Sequence, residues 1–181
     1  MQKHPQGAFC FCSTILHIAG MTNTAVTPIT IYTDGSSRGN PGPGGYGIVM
    51  LYGKWEKHFS EGYRHTTNNR MELLAVIKAI QALKKRDIPI VLYTDSQYVV
   101  NAIEKGWLLK WIKTNFAGGK KNSDLWRMYH QLSRDLTIQF KWVKGHADNV
   151  YNNLCDKLAT EAADGKHLLV DEGYEKEDPL R

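Results

Sequence analysis

Cysteine is scarce in this chain of 181 residues, which holds three, Cys10, Cys12 and Cys155. An odd count without paired spacing excludes the common zinc-site patterns, and the one-residue gap between Cys10 and Cys12 makes a poor disulfide. A disulfide-stapled secreted scaffold is therefore excluded, and a reducing cytoplasmic location is expected. Long apolar runs are missing as well. The segment 8–20 is apolar but contains His17, is too short to span a bilayer, and is followed by no convincing small-residue cleavage pattern. No membrane partner is expected. Met21 offers a second start, so residues 1–26 are read as an N-terminal extension, either disordered or an artefact of start assignment. Acidic charge is also in short supply, with a formal net charge of +5. Residues 161–181 hold seven acids against three Lys/Arg, which leaves +9 on residues 1–160. Such a body favours polyanionic partners, although many basic domains bind no nucleic acid.

What remains suits one compact domain, since 42% of the residues are hydrophobic and domains run to roughly 100 to 200 residues. The domain is placed at 27–165, followed by a tail at 166–181 whose charge reads as solvated rather than packed. Strands are expected at 28–34, 45–52 and 55–63, a meander in which "GSSRGNPGPG" forms the first loop. Leu73, Val76, Ile77, Ile80 and Leu83 then fall at helical spacing up to Lys85, after a Thr66–Asn69 cluster of capping side chains. "IPIVLYTD" reads as a buried strand, Ser96 as the cap of a short helix ending at Gly106, and "NSDLWRMYHQLSRD" as a further helix. "TIQFKWV" alternates like a half-buried strand, and Tyr151, Leu154, Cys155, Leu158, Ala159 and Ala162 mark a last amphipathic helix.

Two strand ends look alike. "IYTDGS" and "LYTDSQ" each deliver an aspartate, Asp34 and Asp95, at the carboxyl end of an apolar strand. If the helix between them is a crossover, the strands lie parallel and adjacent and the two carboxylates become neighbours. Like charges at that range repel unless neutralised, and a divalent cation is the usual solution. Either aspartate alone could be a turn residue bonding its own backbone. Glu72 lies beside the apolar stripe within the first turn of its helix, where it could simply oppose the helix dipole. Asp156 flanks the stripe of the last helix, with ordinary surface charge as the alternative. A phosphate-gripping loop is excluded for the glycine segment, because no "GK[ST]" follows and the segment leads into a strand.

The blocks "TDGSSRGNPGPGGYG", "TTNNRMELLAVIKAI", "YTDSQYV" and "WVKGHADNVYNNLCDKLA" resemble, in this order, the signature blocks of type 1 ribonuclease H. That family hydrolyses the RNA strand of RNA/DNA hybrids. The resemblance covers roughly residues 28 to 165 and is long enough not to be chance. It implies an α/β fold with a five-stranded mixed sheet, three antiparallel strands followed by two parallel ones, and helices on both faces. It also implies that Asp34, Glu72, Asp95 and Asp156 are metal-binding carboxylates and that His146 is a loop histidine assisting proton transfer or product release. An Asp/Glu set without Cys or His suits two Mg²⁺ ions, with Mn²⁺ as a substitute, and the resemblance implies products with 5′-phosphate and 3′-hydroxyl ends.

Substrate contacts follow from the same resemblance. Asn40, Asn68, Asn69 and Gln97 occupy positions suited to testing the ribose 2′-hydroxyl in a shallow minor groove. Thr67 and Asn122 correspond to a pocket for a DNA phosphate, where His65 stands in place of a frequent arginine and Arg64 lies one residue earlier. Residues 105–121 carry five lysines and no acid, interleaved with Trp107, Trp111 and Phe116, so Trp107, Trp111, Lys110 and Lys113 are expected along a groove that follows phosphates. The alternative for Trp111 is core packing. Two other functions are weighed, a hybrid-binding module without chemistry and a DNA strand-transfer enzyme. The complete acidic set counts against the first, and the "TTNNRMEL" block against the second. A monomer is expected, with RNA/DNA hybrid as its partner.

Overall fold

The computed structural model describes residues 26–145 and 149–177. The expectation for the extension therefore falls almost wholly outside the described residues. β1 (Ile29–Ser37), β2 (Gly42–Tyr52) and β3 (Trp55–Thr66) form an antiparallel meander. There follow α1 (Asn68–Gln81), β4 (Ile90–Thr94), α2 (Gln97–Glu104), α3 (Trp107–Lys113), α4 (Ser123–Ser133), β5 (Ile138–Trp142), α5 (Val150–Ala163) and α6 (Glu172–Glu177). The sheet order is β3-β2-β1-β4-β5, with β1 parallel to β4 and β4 parallel to β5. This is the expected mixed sheet of three antiparallel and two parallel strands.

The glycine segment departs from expectation. It is mostly strand rather than loop, because β1 continues to Ser37 and β2 begins at Gly42. The reason is close helix approach. A Cβ on Gly35 would overlap the α1 backbone at Met71 and Glu72, and one on Gly47 would overlap the Cys155 carbonyl of α5. Residues 35 and 47 face opposite sides of the sheet, so α1 and α5 cover its two faces, each seated on backbone that carries no side chain.

α1 is buried almost all round, with Met71, Leu73, Val76, Ile77 and Ile80 out of contact with water. Each such side chain contributes about 1.5 to 3 kcal/mol of burial. The helix ends at Gln81 rather than Lys85. Its first turn is not capped by the local Thr/Asn cluster; instead the Asn68 amide donates to Asn40 Oδ1 at 3.2 Å, across from the β1–β2 turn. Ser96 caps α2 as expected, its hydroxyl accepting from the Val99 amide at 3.4 Å.

The tail departs from expectation as well. Far from being solvated along its length, it returns to β3, where the Leu169 amide donates to the Gly62 carbonyl and the Arg64 amide to the Leu169 carbonyl, at 2.8 and 2.9 Å. Two of its acids are not free charge. Asp171 is buried on Arg70, and Glu175 takes both ends of the Arg64 guanidinium at 2.8 and 2.7 Å. Composition marked these residues as too charged to pack, but paired charges pack where unpaired ones do not.

Candidate active site

Register places the first two acids. The parallel ladder of β1 and β4 ends at the pair Thr33–Thr94, so the next residues along the chain, Asp34, still paired with Gly47 of β2, and Asp95, just past β4, stand at the same end of that ladder. Glu72 arrives from the other direction. It is the fifth residue of α1, beyond the first turn, so the dipole role open to it in the sequence does not apply, and the contact at Gly35 holds its backbone against the end of β1. One carboxylate oxygen from each of Asp34, Glu72 and Asp95 lies within 4.8 Å of the others.

Asp34 and Glu72 are short of partners. Asp34 Oδ1 accepts from the Gly35 amide at 2.7 Å, and Glu72 Oε1 accepts a long bond of 3.4 Å from Asn68 Nδ2. Glu72 Oε2 is buried without any hydrogen-bond partner. Burial, then Asp95, then Asp156 push the Asp34 carboxyl up to about 8. Burial, followed by Asp34 and Asp95, drives Glu72 well above the carboxylate range. Three carboxylates that repel one another, one with an orphaned oxygen, and no sulfur or imidazole among them, fit a hard divalent cation. The Asp95 backbone is fixed from β5, where Trp142 Nε1 donates to its carbonyl at 3.0 Å.

Asp156 is not part of that triad. It is half-buried on α5 and near enough to raise Asp34, so it flanks the three acids rather than closing on them. His146 lies outside the described residues. The residue before it, Gly145, sits so close to Asp95 that a Cβ there would meet Oδ2 at 2.6 Å.

A pocket of about 550 Å³ brings together Asn40, Thr67, Asn69, Trp111, Lys120 and Asn122. A second hollow, of about 490 Å³, shares Trp111 and Lys120 with it and adds Trp107 and Lys110. Trp111 is half-buried, tilted against Trp107 at 6.3 Å between centroids and edge-on to the buried Trp126 at 5.8 Å, so it both packs and lines. Asn68 serves Glu72, while Gln97 at the start of α2 and Lys113 on α3 are exposed and line neither hollow. Sequence reasoning missed Tyr98, Asp171 and Tyr174. The Tyr98 hydroxyl accepts from Asn122 Nδ2 at 3.0 Å and from Trp126 Nε1 at 2.7 Å, and Tyr174 lines the first pocket. The signal for Tyr98 was its place in "YTDSQYV"; the tail residues carried none.

A mixed five-stranded sheet with clustered carboxylates where its parallel strands end, beside a lysine-lined hollow, defines the class of metal-dependent nucleases. Residues 26–164 match the family described as RNase H. A ribonuclease H from Desulforamulus reducens (strain ATCC BAA-1160 / DSM 100696 / MI-1) is 52% identical over 153 residues, which are 82% of this chain and 96% of that protein. Among solved structures, LC9-RNase H1, a type 1 RNase H, is similar with a TM-score of 0.70 and 30% identity over 83% of this chain and 80% of the other. LC11-RNase H1, solved in complex with an RNA/DNA hybrid, is similar with a TM-score of 0.57 and 25% identity over 75% of this chain and 96% of the other. The chain belongs to the RNase H family.

Proposed function

We propose that this protein is an endonuclease that hydrolyses the RNA strand of RNA/DNA hybrids, leaving 5′-phosphate and 3′-hydroxyl ends. The observation that carries this reading is the triad of Asp34, Glu72 and Asp95 oxygens within 4.8 Å of one another, with Glu72 Oε2 buried and unpartnered, in a chain of the RNase H family. Asp34, Glu72 and Asp95 would hold Mg²⁺, or Mn²⁺ in its place, with Asp156 completing the set from α5. Two such ions would supply activation of a water and charge neutralisation at the reacting phosphate. The chain's own residues do the rest. The β1–β4 ladder and the seating of α1 on Gly35 hold the three carboxylates together, and their mutual repulsion makes them demand a cation. His146, next in sequence to Gly145 beside Asp95, is assigned proton transfer or help with product release.

Asn40, Asn68, Asn69 and Gln97 are assigned to the ribose side of the hybrid, where a 2′-hydroxyl can be tested at a shallow groove. Thr67 and Asn122, with Lys120 on the same wall, suit a backbone phosphate on the other strand. Trp107, Trp111, Lys110 and Lys113 extend this surface along α3. Three cysteines without disulfide spacing support action in the cytoplasm, and we assign the chain a monomeric state. Among the described residues no helix is long and apolar enough to cross a membrane.

The test is cleavage of a hybrid labelled on each strand in turn. With Mg²⁺ the RNA strand is cut and the DNA strand is not, and Asp34→Asn abolishes cutting while hybrid binding persists. Cutting of the matched DNA duplex at a similar rate overturns the assignment in favour of a strand-transfer or general nuclease.

A further inference from the structure

The C-terminal segment reaches the substrate pocket through one buried arginine. Arg70, two residues before Glu72 and 1% exposed, is gripped by two acids from distant parts of the chain. Nε and Nη2 donate to Asp171 Oδ2 and Oδ1, both at 2.8 Å, while Nη1 and Nη2 donate to Asp124 Oδ1 and Oδ2 at 2.9 and 2.7 Å. Asp124 lies in the first turn of α4. Immediately before that helix stands Asn122, whose Oδ1 is 3.5 Å from Arg70 Nη1 and whose backbone is left-handed at φ 62°.

Asp171 has a second hold, because the Thr66 hydroxyl donates to its Oδ2 at 2.7 Å. Its Oδ1 also accepts the Tyr174 amide at 3.2 Å, which fixes the turn that presents Tyr174. Next to that tyrosine, Gly173 lies so close to the Asp124–Arg70 pair that a Cβ would collide with it. The Tyr174 ring stands 5.3 Å from the His65 ring and 5.9 Å from the Arg70 guanidinium carbon, and it lines the same hollow as Thr67, Asn69 and Asn122. Arg64, the cation adjacent in sequence to position 65, does not replace the arginine absent there, because Glu175 holds it.

We infer that residues 168–176 are a positioning element of the substrate pocket. Asp171 locks Arg70 and through it Asn122 and the start of α4, while the Tyr174 ring is the wall on which a sugar–phosphate unit of the bound strand rests. An aromatic wall beside the half-buried Trp111 and the lysines at 120 and 121 suits a nucleic-acid backbone, whose sugars pack on rings while its phosphates meet cations. The inference rests on the proposed hybrid substrate.

Full-length Tyr174→Ala, Tyr174→Phe and Asp171→Asn proteins are compared with wild type by steady-state hydrolysis of labelled hybrid, thermal unfolding, and fluorescence anisotropy of hybrid binding in an Asp34→Asn background. Tyr174→Ala is expected to raise KM and Kd about fivefold to tenfold while kcat stays within about twofold, and Tyr174→Phe to restore both. Asp171→Asn raises KM in the same direction and also lowers Tm, since it weakens a bond to a buried guanidinium. A Tyr174→Ala protein with unchanged KM and Kd, or a phenylalanine variant as impaired as the alanine one, overturns the inference. If wild type fails to cut the hybrid, the proposed function falls. The anisotropy of the same variants still decides whether Tyr174 belongs to a nucleic-acid pocket.

Discussion

Burial determines the character of Asp34 before any neighbour does. The carboxyl is pushed up to about 8 first by loss of water and then by Asp95 and Asp156, and Glu72 shifts the same way. An acid whose folded-state value is raised holds its proton in the native state after the unfolded chain has lost it, so stability falls as pH rises between about pH 4 and pH 8. The Arg70 partner Asp124 is displaced the other way: burial would raise it, but the guanidinium outweighs that, so its contribution disappears only in stronger acid. Chelator-treated protein should therefore show a lower Tm at pH 8 than at pH 5, and Asp34→Asn should flatten that decline. Adding Mg²⁺ at pH 8 should raise Tm in wild type more than in the variant. A Tm that climbs steadily from pH 5 to pH 8 without metal would show that these acids are not the repelling cluster described. At this scale the sequence exposed Asp34 and Asp95 directly, because two strand ends read alike. Glu72 and Asp156 needed the resemblance, since a lone acid near a helical stripe has a commonplace explanation.

Elements bring those residues together by close approach. α5 can bring Asp156 beside the triad because β2 offers it Gly47, where any side chain would strike the Cys155 carbonyl. Gly47→Ala should push the helix outward, costing about 1 to 3 kcal/mol. Its Tm should fall, and hybrid cleavage should fall further than stability alone accounts for, because the carboxylate moves with the helix. Full activity in a Gly47→Ala protein of normal Tm would mean that the position of α5 does not matter. The order and type of the elements were legible from periodicity, but the extent of β1 and β2 was not. Glycine and proline in a row read locally as a turn, and only the helices pressing on both faces explain why such residues belong in paired strands.

For the molecule as a whole, charge is distributed rather than summed. The acids of the C-terminal segment neutralise Arg64 and Arg70, while Lys110, Lys113, Lys120 and Lys121 remain exposed. Hybrid affinity should fall steeply with salt. Replacing Lys110 and Lys113 together by alanine should reduce the slope of log K against log salt by about one unit for each phosphate that is no longer neutralised. An unaltered slope would remove α3 from the binding surface. The sequence showed this lysine run and its tryptophans, and the structure adds that Trp111 joins the surface to the core through Trp126.

The sequence by itself determined the order and type of the elements between residues 28 and 165, the carboxylates at two strand ends, the basic stretch and the family likeness. Each depends on short-range pattern or on motif. Only the tertiary structure decided that three acids share one small volume while the fourth stands beside them, and that a charged tail closes over Arg70 to put Tyr174 in the pocket. Those outcomes depend on which distant charges meet and on how near two backbones can come, and neither is written in any local stretch of residues.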